Sequence, residues 1–430
     1  MNIEDLYKLL GPEPAVTTDT RDCPAGSVFF ALRGANFDGN AFAAQALQNG
    51  CAYAVVDDPK VGGDERYVHV PDVLEALQQV AALHRHRMGL PVVQITGTNG
   101  KTTTKELISA VLARKYNVLF TQGNFNNHIG VPKTLLRLRA AHQIAVVETG
   151  ANHPGEIARL SRIVDADCGL ITNVGKAHLE GFGSFEGVLR AKGELYDYLR
   201  KKPGAFVFLH GDNAYLPGMA AGLPAVTYGA PGHGYDVEGE VEACTPYVAL
   251  RWRPRDGEWQ HVATHLVGAY NLANALAAAA VGMRYGVAVA DISEAIAAYA
   301  PTNHRSELMQ TATNELIVDA YNANPTSMQA ALDNFRLIDR PHKMLILGEM
   351  LELGEASADE HRRVVEQARS LGCEAVWLVG TGFRPYAAGC RFFPDVEAVK
   401  QELLAHPVAG KLILVKGSNG THLYQLPDLL

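Results

Sequence analysis

At 430 residues the chain is too long for one ordinary hydrophobic core, and about three domains are expected. Its 47% hydrophobic and 20% charged residues are those of a soluble globular protein, and a net charge of -8 opposes nucleic-acid binding while leaving room for one basic pocket that takes a phosphorylated substrate. The six cysteines are scattered with no C-x-x-C pair, and neither a leader-like start nor a membrane-length apolar run is found; we expect reduced thiols, no zinc site, no membrane insertion and a cytoplasmic enzyme.

Up to about Gly89 the chain reads as a first unit of short elements. Residues 27–32 (SVFFAL) and 52–56 (AYAVV) are strand-length apolar runs, and 40–49 is an Ala-rich helix. Pro91 opens a second unit that alternates strand and helix. Its first strand runs into Gly97-Thr98-Asn99-Gly100-Lys101-Thr102-Thr103, and Leu107, Ile108, Val111 and Leu112 then share one helical face. Strands follow at 144–147, ending at Glu148, and at 169–174, ending before His178. A helix covers 185–200 and a further strand 205–209. This is the pattern of a doubly wound parallel sheet, which binds ligands at the carboxyl ends of its strands. Near 235–266 the pattern changes to alternating strands, and Asp256-Gly257 signals a tight hairpin. An Ala-rich helix covers 271–285. The third unit begins near Pro301, with strands at 316–319, 344–347, 375–379 and 412–415. Asn324 and Pro325 read as the cap and first turn of one helix, and Ser357-Ala358-Asp359-Glu360 as a capping box for another.

The loop at 97–103 carries the most information. A strand feeding a helix through a glycine turn gathers backbone N–H groups at the positive end of the helix dipole. Lys101 adds a charge and Thr102 a hydroxyl suited to a metal. Together they suit ATP with Mg2+, although Ile95 stands where the standard P-loop spacing has its first glycine.

Other residues carry chemistry less specifically. Glu148, at a strand end, is a metal ligand or a solvated carboxylate. His178, in the glycine-bounded loop 176–184, is a ligand or a polar loop residue. Lys192 is a helical lysine, of a kind that mostly lies at the surface. Asn271 and Asn274, one turn apart, could bond a purine edge or cap their helix. Arg305, at a unit junction, could reach a phosphate or pair with an acid, and Asp319 could accept from ribose hydroxyls.

In this order, the glycine loop, Glu148, His178, Lys192, Asn271-x-x-Asn274, His304-Arg305-Ser306-Glu307 and Asp319 resemble the Mur ligases, the ATP-dependent amide ligases that build the peptide stem of the cell-wall precursor. The resemblance implies an α/β fold of three domains: a uridine-nucleotide domain (1–89), a central ATP-binding domain (90–302) and a C-terminal ligase domain (303–430). It implies that Lys192 takes up CO2 as a carbamate. Thr102 then serves one magnesium ion, and Glu148, His178 and carbamylated Lys192 a second. Residues 97–103, Asn271, Asn274, Arg305 and Asp319 are assigned to ATP, with Lys101, Glu148, His178, Lys192 and Arg305 catalytic. Thr20 and Arg21, in a first-unit segment similar to the family's, are expected to touch the uridine substrate; the alternative for both is a surface turn.

Within the family, residues 123–132, 148–153, 177–184, 319–328 and 347–354 look like the member that acts last on the stem. That likeness implies UDP-N-acetylmuramoyl-tripeptide and D-alanyl-D-alanine as partners, Asn124, Asn126 and Asn127 as substrate-binding, and a monomer. No Asp-Asn-Pro-Arg motif of the third-residue ligase is present, and Asn419 stands where the family often has Arg. The implied chemistry is transfer of the γ-phosphoryl group to a carboxylate, then attack by an amine. The alternatives are a sister ligase adding one amino acid, a folylpolyglutamate-type ligase, and a nucleotide-switched binding protein.

Overall fold

A computed structural model describes residues 1–301 and 306–430. Arg305, and with it the residue expected to bridge the second and third units, lies outside the described residues.

Three large sheets organise the chain, beside a two-stranded hairpin of Arg33–Gly34 and Phe37–Asp38. The first is parallel and four-stranded, in the order Val16–Thr17, Val28–Phe30, Tyr53–Val56, Tyr67–His69. The expected helix at 40–49 is interrupted. Asp38 caps a 3-10 turn, Gly39–Phe42, and the α-helix proper is only Ala43–Gln48. The long helix Val73–Met88 joins this unit to the next. It is capped by Asp72 and stopped by Gly89 in the left-handed conformation. Its Leu77 and Val80 share one core with Phe30 and Val55 of the first sheet and Ala145 and Val147 of the second.

The second sheet has nine strands, in the order Gln260–Val267, Tyr247–Pro254, Val237–Cys244, Ala225–Gly229, Phe206–His210, Cys168–Ile171, Val92–Thr96, Ile144–Glu148, Val118–Phe120. It is parallel from Val237–Cys244 onward, and Tyr247–Pro254 and Gln260–Val267 add an antiparallel ribbon. Every residue of Val92–Thr96 is buried, because helices cover both faces. Asp256 does turn the ribbon (φ 60°), but Trp252 pairs with Gln260, so the connection is longer than the tight hairpin expected. The strand expected at 169–174 is Cys168–Ile171. Beyond it Thr172 N still donates to Thr96 O at 2.9 Å, while the side chains of Thr172 and Asn173 bond the glycine loop.

The third sheet is six-stranded: Glu307–Gln310 antiparallel at the edge, then Glu315–Asp319, Leu412–Lys416, Lys343–Gly348, Ala375–Val379 and Arg391–Phe393, all parallel. Alternate residues feed two cores. Leu345, Leu347 and Leu414 pack against the helices Pro325–Leu337 and Ser357–Ser370, while Met344, Ile346 and Val415 pack against Val396–Ala405. Asn324 and Ser327 form a reciprocal capping box at the first of these helices.

The second expected box, at Ser357, does not form. A 3-10 turn (Gly354–Ala356) precedes the helix and makes Ser357 its first residue. Ser357 then turns to His361, whose Nδ1 lies 2.7 Å from the Ser357 carbonyl, and Glu360 accepts from Lys176 at 2.7 Å. Tertiary contacts at the turn have overridden the local signal. Among the described residues the six cysteines are free thiols, and no helix is long and apolar enough to cross a membrane.

Candidate active site

The register of three neighbouring strands brings their carboxyl ends level. Ile95 is opposite Glu148, and Thr96 is opposite Ile171. A cavity of about 730 Å³ opens there and extends to the carboxyl end of the third sheet's strand Glu315–Asp319. Its wall includes Thr98, Asn99, Gly100, Lys101 and Thr103, then Asn124, Asn126, Asn127, Glu148, His178, Asn271, Asn274, Asp319 and Lys416.

The loop is shaped by two glycines. Gly97 has φ 142°, and a Cβ there would press into Thr172 Oγ1 and lie 3.0 Å from its backbone N. Gly100 has φ 78°, and its Cβ would sit 2.7 Å from Asn274 Oδ1. The main chain between them is clamped by the next strand end. Thr98 N donates to Asn173 O (3.0 Å) and Asn99 N to Asn173 Oδ1 (3.0 Å), while Asn99 O accepts from Thr172 Oγ1 (2.6 Å) and Asn173 Nδ2 (2.9 Å). No described side chain caps the helix Lys101–Leu112, and its first turn brings the positive end of the helix dipole to the cavity. Lys101 Nζ curls back onto the carbonyls of Gly97 and Thr98, both at 2.8 Å. Thr102 is buried just behind, and its Oγ1 has no hydrogen-bond partner among the described residues.

Glu148 is 1% exposed. Oε1 accepts from Asn126 Nδ2 at 2.7 Å, while Oε2 is buried without a described partner. His178 holds a left-handed backbone (φ 49°), an uncommon state for histidine outside tight functional turns. Its Nδ1 lies against the Glu352 carboxylate. Burial holds the imidazole below its usual pKa, against the pull of Glu352.

Lys192 is no surface lysine. It is 2% exposed, behind the Ala151 wall, with Nζ 3.4 Å from Ala151 O and 5.4 Å above the Phe182 ring. Burial first, then the charge of Lys101, brings its pKa down to about 7. Among the described residues no group of three or more His, Cys, Asp or Glu gathers into a dedicated metal cage.

Asn271 and Asn274 do not cap their helix. Asn271 donates to Val267 O (2.9 Å), Asn274 donates to Asn271 (2.8 Å), and Thr104 Oγ1 donates to Asn274 Oδ1 (2.9 Å). Asp319 accepts from Lys416 Nζ at 2.5 Å, and Lys416 is 1% exposed. Asn127 Oδ1 accepts from the N–H groups of Ile129 and Gly130, turning its segment toward the wall. Thr20 and Arg21 lie outside the cavity's described lining. Arg21 is exposed and forks onto Asp19 (2.6 Å and 2.9 Å), the surface-turn arrangement.

Sequence reasoning passed over Asn173, Glu352 and Lys416 as site residues. Each acts through a neighbour, exposed only by the bonds of Asn173 to Asn99, the contact of Glu352 on His178 and the register Asp319–Lys416. A lysine followed by Gly417-Ser418 at a strand end was the one signal available for Lys416.

Three family models match consecutive parts of the chain: the Mur ligase family catalytic domain over residues 15–85, the Mur ligase middle domain over 95–282, and the Mur ligase glutamate ligase domain over 304–419. A UDP-N-acetylmuramoyl-tripeptide–D-alanyl-D-alanine ligase of Bacillus subtilis is 34% identical, with 96% of this chain and 92% of that protein covered. The crystal structure of MurF from Acinetobacter baumannii superimposes with a TM-score of 0.88 at 33% identity, covering 97% of this chain and 93% of that one. The MurF ligase from Thermotoga maritima in complex with ADP gives 0.85 at 25% identity, covering 98% and 97%.

The glycine geometry generates a direct expectation. Gly97→Ala forces a side chain into Thr172 at a φ that L-residues rarely adopt, which costs about 1–3 kcal/mol of loop strain. ATP affinity measured by calorimetry should fall about tenfold or more, with far-UV circular dichroism unchanged. Unaltered affinity would show that the loop does not hold the nucleotide.

Proposed function

Because this chain belongs to the Mur ligase family, we infer that it joins D-alanyl-D-alanine to UDP-N-acetylmuramoyl-tripeptide, consuming ATP, in the synthesis of the peptidoglycan precursor. The observation that carries this reading is one cavity uniting a glycine loop at a helix start with Lys101, Glu148, His178 and Asp319. The name of the Bacillus subtilis relative and the ADP bound to its Thermotoga maritima counterpart support it. A monomer is the working unit proposed here. Its substrates, ATP and a uridine nucleotide, support a cytoplasmic location. The three sheets support a division into a uridine-nucleotide domain at 1–89, an ATP domain at 90–302 and a ligase domain at 303–430.

A carboxylate is a poor electrophile, so the reaction needs an activated acyl group. The γ-phosphoryl group moves from ATP to the terminal carboxylate of the tripeptide, giving an acyl phosphate and ADP. The free amine of D-alanyl-D-alanine attacks the acyl carbon; the C–N bond forms, the C–O bond to phosphate breaks, and the amine loses a proton. Lys101 and the first-turn N–H groups offset charge on the phosphates. Asp319, held by Lys416, accepts from ribose hydroxyls, and Asn271 and Asn274 stand ready for the purine edge. Asn124, Asn126 and Asn127 line the cavity for the muramoyl substrate, and Thr20 and Arg21, in a turn outside that lining, are assigned to its uridine end. Arg305 is assigned to the phosphates.

The donor set fits magnesium. Thr102 Oγ1 and Glu148 Oε2 are buried oxygens without described partners, the hard ligands this ion takes, and the ion ordinarily completes its shell with water and phosphate oxygens. Thr102 would hold one ion, and Glu148, His178 and carbamylated Lys192 a second. When bound, magnesium offsets phosphate charge during transfer. Lys192 suits carbamate formation: its pKa near 7 leaves much of the amine neutral at physiological pH, and the neutral amine adds CO2 with loss of one proton.

Lys192→Ala should lower turnover by about a hundredfold or more, the scale of losing one electrostatic group at the reacting centre. Short carboxylic acids should restore part of it. Carbon-13 bicarbonate should give wild type a carbamate resonance that the variant lacks; full activity in the variant would remove Lys192 from the mechanism.

Phosphate release from ATP, measured with each candidate amine, tests the assignment itself. A pocket that pairs the dipeptide's amide and carboxylate leaves buried polar groups unpaired when a single amino acid binds. D-alanyl-D-alanine should therefore win by about a thousandfold or more over meso-diaminopimelate or L-lysine. Faster turnover with a single amino acid on a UDP-muramoyl dipeptide would make this a sister enzyme, and no substrate-dependent release would favour a nucleotide-switched binder.

A further inference from the structure

Among the described residues, a pair of amides joins the third unit to the phosphate loop. Asn324 Nδ2 donates to Asn99 Oδ1 at 2.8 Å, and Asn99 Nδ2 reaches Asn324 Oδ1 at 3.4 Å. The partners are 225 positions apart in the chain. Asn324 is 4% exposed, and its Oδ1 also accepts from Ser327 N at 2.9 Å as the cap of the helix Pro325–Leu337. Beside it, Lys176 N donates to Thr326 Oγ1 at 3.1 Å, seating the start of that helix on the His178 loop.

A cap requires only an oxygen, and serine or aspartate would serve as well as asparagine. The Asn324 NH2 group therefore does something that capping does not demand. It fastens the side chain of Asn99, whose main chain is already clamped by Thr172 and Asn173. Asn99 is thus held from two sides, by the second sheet through its backbone and by the third unit through its amide.

We propose that Asn324 is a positioning residue that couples docking of the third unit to the shape of the phosphate loop, through its amide pair with Asn99. The inference rests on the reading that this loop carries ATP. Asn324 makes its effect through Asn99 rather than on the reacting atoms. While the third unit is undocked, the Asn99 amide lacks this partner and the loop is held only by the second sheet. Docking completes the clamp and closes the site to water, so phosphoryl transfer is confined to the arrangement that protects an acyl phosphate. ATP binding to the undocked protein needs no such pair.

The test uses the full-length protein with Asn324→Ser, Asn99→Ala and the two combined. Serine keeps the capping oxygen but is too short to reach Asn99. We expect kcat to fall about tenfold, the effect of losing a buried hydrogen-bonded pair. In Asn324→Ser, ATP affinity should change less than about threefold, with the thermal midpoint unchanged. The double variant should be no worse than the poorer single one, because the two residues act as a unit. Asn324→Ala, which also removes the cap, should lower the thermal midpoint, separating the two roles.

Small-angle scattering of the nucleotide-free protein should show a larger radius of gyration for Asn324→Ser than for wild type. Wild-type kcat in Asn324→Ser, losses that add in the double variant, or unchanged scattering would overturn the proposal. Failure of the wild-type protein to bind ATP would instead overturn the reading of the site; the nucleotide-free scattering comparison would still judge the pair.

Discussion

The close approach of the strand end at Thr172 to the chain at Gly97 is the constraint on which the site depends. With no side chain at position 97, the strand Val92–Thr96 can turn sharply beneath Thr172 and Asn173, and these two residues then tie down the main chain of Asn99. That turn aims the helix Lys101–Leu112 so that its uncapped first turn faces the cavity. The same sheet register sets Glu148 opposite Ile95, one strand away. The sheet thus supplies both the glycine loop and the carboxylate from a single set of backbone hydrogen bonds, without a long loop to order.

Burial then sorts the chemistry. Glu148 keeps one oxygen bonded to Asn126 and the other buried without a described partner. Lys192 is pressed against Phe182, where an ammonium is poorly solvated. Such groups are costly to a fold and are retained where a ligand repays the cost. Lys416 plays the complementary part in the third sheet, offsetting the charge of Asp319 from an almost fully buried position. The architecture is that of the Mur ligases, and each sheet contributes its carboxyl edge to a shared interior.

Much of this was legible in the chain because hydrophobic runs and turn residues act locally. The strands at 144–148, 375–379 and 412–416 and the Asn324-Pro325 helix start follow from apolar run length and capping chemistry. Elements with weak local signals were not read, among them the edge strands Val118–Phe120 and Arg391–Phe393. The Ser357 box failed because the 3-10 turn before it makes Ser357 the first helical residue, and Glu360 is drawn to Lys176 of the second unit. The lining of the site followed from its glycine loop and from family resemblance, whereas the residues that steady it did not. Asn173, Glu352 and Asn324 act by meeting partners far away in sequence, and periodicity carries no trace of that. Thr20 and Arg21, read from a local segment, sit in a surface turn away from the described lining.

The central claim is that the loop at Gly97–Thr103 presents ATP to a carboxylate, which is phosphorylated before the amine arrives. Isotope transfer tests it most directly. UDP-N-acetylmuramoyl-tripeptide labelled with oxygen-18 in its terminal carboxylate would be turned over with ATP and D-alanyl-D-alanine, and the released phosphate analysed by mass spectrometry. The account predicts one labelled oxygen in each phosphate released, because the carboxylate oxygen that accepts the phosphoryl group leaves with it. Unlabelled phosphate accompanying normal product formation would contradict it.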